Sequence, residues 1–320
     1  MTDIETLYRL PLEELLEHAW ALRRAHFPPV LDLAVPGAKR YQMEGFRNRP
    51  YRFAAISLTG GSCSLGCEHC RGQLLKSMYA APTGPELRRV ADDLVARGCQ
   101  GVLLSGGADR RGQVPLRDHM QAIGYLKEMG LKVIVHTGLA DEATARELSA
   151  VAVDQVLVDV IGDEDTIRQV YHLDRKPEDY GAALAVLKEA GLAIAPHVVI
   201  GLHFGRIRGE LSALEIIAAA DPEALVLVVL NPLAGTPMVD SRPPSAEAVG
   251  RLLAVARILV PGRRISLGCA RPAGPGKVAM EHLAISAGIN ALAYPSASSL
   301  AHARSRSLET VWREMCCSLA

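Results

Sequence analysis

The sequence lacks an excess of charge, a membrane-length apolar run and an even set of cysteines. Its 35 acidic and 35 basic residues cancel, and no long basic block occurs. A neutral chain of this kind is a poor candidate for binding nucleic acid or an anionic membrane. The longest strongly apolar stretch, 224–239, is interrupted by Asn231, Pro232 and Pro237, so it is too short and too broken to cross a bilayer.

The cysteine content also excludes a class of protein. Seven cysteines are present, an odd number, and three of them are clustered. This pattern argues against a disulfide framework and favours a reducing cytoplasm. The acidic start, Met-Thr-Asp-Ile-Glu, does not resemble a signal peptide. With 320 residues, of which 49% are hydrophobic, the chain is long enough to bury one large core.

The clustered cysteines stand in the stretch Cys63-Ser-Leu-Gly-Cys67-Glu-His-Cys70. Three thiolates in one tight loop can hold a cubane iron–sulfur cluster and leave one iron open. Structural zinc needs four protein ligands. His69 is the alternative fourth ligand, but it is adjacent to Cys70, and neighbouring side chains diverge. The loop therefore favours a 4Fe–4S cluster, with zinc as the alternative.

Apolar runs of five to eight residues alternate with amphipathic helical segments along most of the chain, as in a parallel sheet. We predict an α/β fold, a (β/α)₈ barrel at 51–300, with an N-terminal helical cap at 1–50 that contains a helix at 11–26. A C-terminal helix and tail would occupy 301–320, with the helix at 308–317. An open doubly wound sheet is the alternative. The predicted strands are 52–59, 101–105, 132–136, 155–160, 193–201, 224–230, 264–268 and 289–293.

The cysteine loop after the first barrel strand resembles the signature of the radical S-adenosylmethionine (SAM) superfamily. That resemblance implies a 4Fe–4S cluster on Cys63, Cys67 and Cys70, with SAM chelated at the open iron. His69 stands where the superfamily usually has an aromatic residue. Ser105, Gly106 and Gly107 end the second strand and are similar to a "GGE" element that holds the amino group of SAM, although Ala108 replaces the acid.

Further resemblances suggest where SAM and substrate would bind. Asp159 matches the ribose-binding segment, or it caps the next helix. Arg175 would pair with the SAM carboxylate, or it is a solvated surface residue. The remaining predicted cofactor-binding residues, in stretches similar to the adenine-site strand and the turn after strand six, are Gly201, Leu202 and Asn231. The substrate candidates are His136 and Thr137, for which simple turn chemistry is the alternative, and His203, for which packing on the rim is the alternative.

The resemblance covers about residues 10–300 and is strongest to the biotin-synthase-like branch of the superfamily. Biotin synthase holds a second cluster with cysteines that this chain lacks, apart from Cys99, which we interpret as core packing. Cys269 at a strand end and the vicinal pair Cys316-Cys317 could instead meet beneath a C-terminal helix over the barrel mouth. They are the predicted ligands of a second 4Fe–4S cluster, unless the pair is incidental.

A radical generator with a second, sulfide-bearing cluster is typical of sulfur insertion. The chain looks most like components of the two-protein lipoyl synthase, which thiolate an octanoyl chain on a lipoyl carrier domain. Such a sulfurtransferase would need a homologous radical SAM partner, a lipoyl carrier protein or peptide and a low-potential electron donor. The alternatives are another biotin-synthase-like enzyme (a biotin synthase, hydrogenase maturase or radical mutase) and a cluster-holding scaffold without turnover.

Overall fold

The structure is a computed structural model that describes residues 3–320, and its main feature is a sheet of eleven strands. The strands, including a two-stranded hairpin outside that sheet, are β1 Val30–Ala34, β2 Gln42–Met43, β3 Phe46–Arg47, β4 Phe53–Ser57, β5 Tyr79–Ala80, β6 Gly101–Ser105, β7 Lys132–His136, β8 Gln155–Asp159, β9 Ile194–Ile200, β10 Ala224–Val229, β11 Arg264–Leu267, β12 Ala291–Ala293 and β13 Glu309–Arg313.

Helices connect the strands and cover the outside of the sheet. The α-helices are α1 Ile4–Tyr8, α2 Leu12–His26, α3 Gly84–Ala96, α4 Met120–Glu128, α5 Glu142–Ala150, α6 Glu164–Thr166, α7 Pro177–Glu189, α8 Glu210–Ala219, α9 Ala246–Leu259, α10 Pro275–Ser286 and α11 Ala297–Ser305. Two 3₁₀ segments lie at Gln73–Ser77 and Arg117–His119, and a π-helical segment lies at Ile167–Tyr171.

The sheet curls into a half-barrel of parallel strands, in the order β13-β1-β12-β11-β10-β9-β8-β7-β6-β4-β5. The order from β4 to β12 follows the chain without the reversal that defines a doubly wound sheet. The two flanks of the curled sheet also meet, since the Gly37 N–H, beyond β1, donates to the Phe53 carbonyl of β4 at 2.8 Å. The predicted α/β barrel class is confirmed.

Local sequence signals account for several helix boundaries. The predicted N-terminal helix is confirmed as α2, which begins directly after Pro11. Helix α3 begins with a capping box, in which the Thr83 side chain accepts from the Glu86 N–H and the Glu86 carboxylate accepts from the Thr83 N–H. A cap of this kind contributes about 1 kcal/mol of helix stability.

The two ends of the chain differ from the prediction. Strand β1, inside the segment predicted as a cap, joins the main sheet between β12 and β13. The prediction of a helix at 308–317 is wrong, because the chain forms β13 there. β13 runs parallel to β1, in register from the pair Val30–Glu309 to the pair Ala34–Arg313. β-Branched and aromatic residues such as Val311 and Trp312 favour a strand at this place.

The last six residues lie inside the curled sheet. Gln155, the first residue of β8, donates from Nε2 to the Ser318 carbonyl at 3.2 Å, and Arg264, the first residue of β11, donates from Nε to the Ala320 carbonyl at 2.7 Å. Because both partners begin their strands, the tail fills the N-terminal end of the barrel. The predicted position of the tail over the barrel mouth is therefore wrong, and the tail forms the floor of the interior.

Among residues 3–320, no helix combines the length and the apolar character needed to cross a membrane.

Candidate cluster and substrate site

The cysteine loop lies at the C-terminal end of β4, the face where parallel barrels carry their active sites. Cys67 is buried, and Cys63 and Cys70 are half-buried. The Cys67 thiol donates a hydrogen bond to Cys70, which, with help from His69, lowers the pKa of Cys70 well below that of an ordinary thiol. The same hydrogen bond, together with burial, raises the pKa of Cys67. A low thiol pKa favours metal binding, because thiolate is the form that ligates a metal.

The donor set of this loop fits a cluster better than a single ion. Across residues 3–320, no three Cys, His, Asp or Glu side chains converge on one point suited to a metal ion. In a cubane each thiolate binds a different iron, so the three sulfurs need not converge. The buried Nδ1 atom of His69, beside Cys70, has no hydrogen-bond partner in the described part of the chain. The residues present therefore fit a 4Fe–4S cluster held by Cys63, Cys67 and Cys70.

The π-helical segment holds the cysteine loop in place. The Glu68 N–H donates to the Val170 carbonyl at 2.9 Å, and Glu68 Oε1 lies 2.9 Å from His172 Nε2. The rings of His69 and Tyr171 stack with their centroids 5.3 Å apart. π-Helical turns occur frequently at functional sites. Sequence reasoning missed this support, and its only local signal is the acid Glu68 between two cysteines.

A close backbone approach joins the cysteine loop to the end of β6. The Gly107 N–H donates to Thr59 Oγ1 at 2.7 Å, and the Ser64 N–H donates to the Ala108 carbonyl at 3.0 Å. A Cβ atom on Gly107 would lie 2.0 Å from the Ser62 carbonyl oxygen and 2.4 Å from Cys63 Cα. Only glycine allows this contact. Gly107 is therefore needed to position Cys63, in addition to any contact that it makes with a ligand.

We expect the substitution Gly107→Ala to displace the cysteine loop, because the added methyl group overlaps backbone atoms. The cost is about 1–3 kcal/mol of unfolding free energy, together with loss of iron uptake during anaerobic reconstitution. Gly61→Ala is the matched control in the same loop, since a Cβ there meets nothing within 4 Å. Equal iron content in the two variants would show that the Gly107 contact is dispensable for the loop.

A cleft of about 530 Å³ opens beside Cys63, between the cysteine loop, the loop after β6 and the start of α5. Two ion pairs border it, Arg111–Asp109 at 3.2 Å and Arg117–Glu147 at 2.8 Å. The cleft exposes Cys63 and Gly107 on one surface, so a polar ligand there would reach both predicted elements. The residues of these elements that line it are Thr59, Ser62, Cys63, Ser64, Gly107 and Ala108.

Two of the predicted residues face the barrel interior. Ile134 and Leu157 pack against the C-terminal tail, and His136 and Asp159 lie two positions after them on the same faces of β7 and β8. Asp159 also pairs in register with His197 of β9. Sequence reasoning missed His197, although a histidine inside an apolar strand was a usable signal.

The other two substrate candidates occupy different surroundings. Thr137 is buried, and its hydroxyl donates to the Gly138 carbonyl at 2.9 Å, away from His136. His203 is also buried, with its Nδ1 atom 3.1 Å from the hydroxyl of Thr166, at the N-terminal side of the π-helical segment. The structure thus brings His136, but neither of the other two, to the inward face beside Asp159.

The residues predicted to bind SAM are spread around the same barrel face. Arg175 is half-buried and lies near Tyr180. Burial raises the pKa of Tyr180, and the charge of Arg175 lowers it by a smaller amount. Gly201 has a positive φ of 80° and donates its N–H to Glu210 Oε1 at 2.7 Å. Leu202 is buried and Asn231 is exposed. The Ser105 carbonyl accepts a hydrogen bond from the Leu58 N–H at 2.8 Å, which joins the end of β6 to the residue that follows β4.

The late cysteines approach one another in the interior. Cys269 follows β11 and is open to solvent, yet desolvation raises the pKa of its thiol, because protein surrounds it on most sides. Cys316 raises that pKa further, and the Ser266 hydroxyl of β11 donates to the Cys317 carbonyl at 2.7 Å. Cys317 is buried, and its hydrogen bond lowers the pKa of Cys316. Cys99 lies apart in the main core, as predicted.

Comparison with known proteins adds sequence relatives and a fold. No family model matches the chain. A biotin synthase from Bordetella avium is 24% identical over 312 residues, which cover 91% of this chain and 85% of that protein. A biotin synthase from Synechococcus sp. is 26% identical over 294 residues, which cover 85% of this chain and 80% of that protein.

Solved structures share the fold at lower identity. A methylornithine synthase superposes with a TM-score of 0.66 at 18% identity, over 98% of this chain and 94% of that one. The FeFe-hydrogenase maturase HydG from Carboxydothermus hydrogenoformans gives a TM-score of 0.62 at 15% identity, over 93% of this chain and 72% of that one. The chain is thus similar in sequence to biotin synthases and similar in fold to these two solved structures.

Proposed function

We propose that this chain is a radical SAM enzyme of biotin-synthase-like type, which binds a 4Fe–4S cluster through Cys63, Cys67 and Cys70. The observation that carries the proposal is a three-cysteine loop at the C-terminal end of β4, on the barrel face near which His136, Asp159 and His197 line the inner wall. When bound, the cluster and SAM supply reductive SAM cleavage and hydrogen abstraction from an unactivated C–H bond. The test is whether anaerobically reconstituted protein forms 5′-deoxyadenosine with a low-potential reductant.

The chain's own residues would bind the cluster and SAM, hold the cysteine loop in position and limit the access of water. Cys70, with its lowered pKa, is ready to ligate iron as thiolate. The contact of Glu68 with His172 fixes the loop that carries it. Arg175 forms no salt bridge within residues 3–320, so its guanidinium is free to bind the SAM carboxylate. The tail from Met315 to Ala320 closes the floor and limits water from below.

A second candidate function is sulfur insertion, favoured by the position of Cys269 just after β11 and of the pair Cys316-Cys317 in the tail that β11 contacts. Cys269, Cys316 and Cys317 would hold a second 4Fe–4S cluster, which when bound could supply sulfide to a substrate carbon. An octanoyl chain on a lipoyl carrier is the substrate we propose for this reaction, with a homologous partner protein and a low-potential electron donor. The test is a mass gain of one or two sulfurs on an octanoylated carrier peptide; conversion of dethiobiotin instead would favour a biotin synthase.

The second cluster can be tested separately with conservative variants. Replacing Cys269, Cys316 and Cys317 by serine should halve the iron and sulfide content, from about eight to about four of each per chain, because one of two cubanes loses its ligands. Serine preserves the packing of the tail better than truncation would. The control is Cys99→Ser, which should keep the full content. An unchanged iron count in the triple variant would remove these residues as cluster ligands.

A further inference from the structure

Three polar side chains share the inner wall of the barrel. His136 ends β7, Asp159 ends β8, and His197 lies on β9 in register with Asp159. The rings of His136 and His197 are 5.2 Å apart between centroids and inclined by 57°. Polar side chains this deep in a barrel are costly unless they are paired or used. The proposed cluster and SAM chemistry gives the two imidazoles no role.

The hydrogen bonding of His197 fixes its tautomer. Its Nδ1 atom lies 2.9 Å from the Ala195 carbonyl, which can only accept, so Nδ1 carries the proton. Burial, followed by the neighbouring His136, lowers the pKa of His197 to about 4, and the ring is therefore neutral near pH 7. A neutral imidazole protonated at Nδ1 offers Nε2 as an acceptor. His197 thus presents a lone pair and no second N–H.

Asp159 adds a second acceptor beside His197. Across residues 3–320, its carboxylate makes no salt bridge, and an ionised carboxylate only accepts hydrogen bonds. Its charge raises the pKa of both Tyr171 and Tyr180, after the larger effect of burial. Tyr171 stacks on His69 of the cysteine loop. Because Asp159 ends β8 and His197 pairs with it in register, both acceptors lie towards the C-terminal ends of the strands, where the cysteine loop also stands.

From this arrangement we propose that His197, Asp159 and His136 form a substrate subsite that binds a nitrogen group with N–H donors, such as an amide, a urea or an ammonium. Two neighbouring acceptors favour a ligand that donates hydrogen bonds over one that only accepts them. The apolar residues beside it, such as Leu157 on the wall and Leu319 on the floor, would take the aliphatic part. The inference rests on the proposed function only in treating this ligand as the substrate, and the subsite itself needs no cluster.

The test uses two small probes, hexanamide and N,N-dimethylhexanamide, of which only the first has N–H donors, with the full chain before reconstitution. Affinities are measured by calorimetric titration, and the histidine nitrogens are observed by ¹⁵N NMR. Hexanamide should bind at least about tenfold more tightly, since a hydrogen bond to a charged acceptor contributes that much. It should also shift the Nε2 resonance of His197. Equal affinities of the two amides would overturn the proposal.

Matched variants show where the preference arises. His197→Phe, which removes the acceptor, should reduce the preference for hexanamide by about fivefold or more. His119→Phe is the control, since His119 is also buried and also bonds a carbonyl, that of Pro115, through Nδ1, outside the barrel. A preference that survives in His197→Phe overturns the assignment, and if that variant does not fold, the wild-type affinities and the Nε2 shift decide. SAM cleavage by reconstituted wild-type protein without an amide tests the proposed function independently.

Discussion

Replacing Cys63, Cys67 and Cys70 with alanine should reduce reductive 5′-deoxyadenosine formation to background. The three thiolates are the only ligands in the loop, and alanine offers the iron none. The barrel should still fold, because the loop lies beyond β4 and only Cys67 of the three is buried. The measurement is anaerobic incubation of the reconstituted variant with SAM and a low-potential reductant, with product analysis by mass spectrometry.

The control for this prediction is Cys99→Ala, which removes a cysteine from the main core. The thiol of Cys99 lies 3.2 Å from the Gly101 carbonyl and contacts no residue of the cysteine loop in the hydrogen-bond network. This variant should lose some stability but keep both its iron and its SAM cleavage. Undiminished cleavage in the triple alanine variant would refute the cluster assignment.

The substitution Glu281→Gln should cost about 3–5 kcal/mol of unfolding free energy, the largest stability effect that we expect, because it leaves a buried guanidinium without its counter-charge. Glu281 is fully buried and accepts from Arg271 Nη2 at 2.5 Å and from the hydroxyl of Ser299 at 2.5 Å. Arg271 lies two residues after Cys269, so this ion pair also anchors the turn that carries a proposed second-cluster ligand.

Stability of the wild type should depend on pH through the same group. Burial opposes ionisation of Glu281, but Arg271 and Ser299 outweigh it and lower the pKa from 4.5 to about 2. Because the pKa of Glu281 is lower in the folded chain, its full contribution to stability is present when the pH is above the pKa in the unfolded chain. That contribution is lost as the pH falls from about 4.5 towards 2. Glu281→Gln should lack this part of the pH dependence in chemical denaturation.

The surface pair Arg251–Glu247 provides the control for the buried one. Glu247 is exposed and lies 2.9 Å from Arg251, one helical turn away. Glu247→Gln should change the unfolding free energy by less than about 1 kcal/mol, because water already screens that charge. Similar losses in Glu281→Gln and Glu247→Gln would show that the buried ion pair does not anchor this region.

The repeated part of the fold is predictable because its signals are local. Apart from the two-residue β5, each strand from β4 to β12 is a short apolar run followed by a helical segment, and turn residues such as Gly130 and Gly191 separate them. The cysteine loop is predictable for the same reason, since three ligands in eight residues need no tertiary information. The (β/α)₈ pattern then places that loop on one barrel face.

The chain ends and the inner surface depend on non-local pairing. The strand at Glu309–Arg313 forms because β1 lies beside it, and these two strands are far apart in the sequence. The tail enters the barrel through hydrogen bonds to Gln155 and Arg264, which no local pattern announces. The pairing of Asp159 with His197 follows from the register of two strands, and periodicity gives the face of each strand but not its partner.

The most direct test of the central claim is the iron, sulfide and product content of the wild-type chain after anaerobic reconstitution. The proposal requires at least about four iron and four sulfide per chain. It also requires equal amounts of methionine and 5′-deoxyadenosine when SAM and a low-potential reductant are added. A chain that retains one zinc, takes up no sulfide and leaves SAM intact would contradict it, and would identify the Cys63–Cys70 loop as a structural metal site.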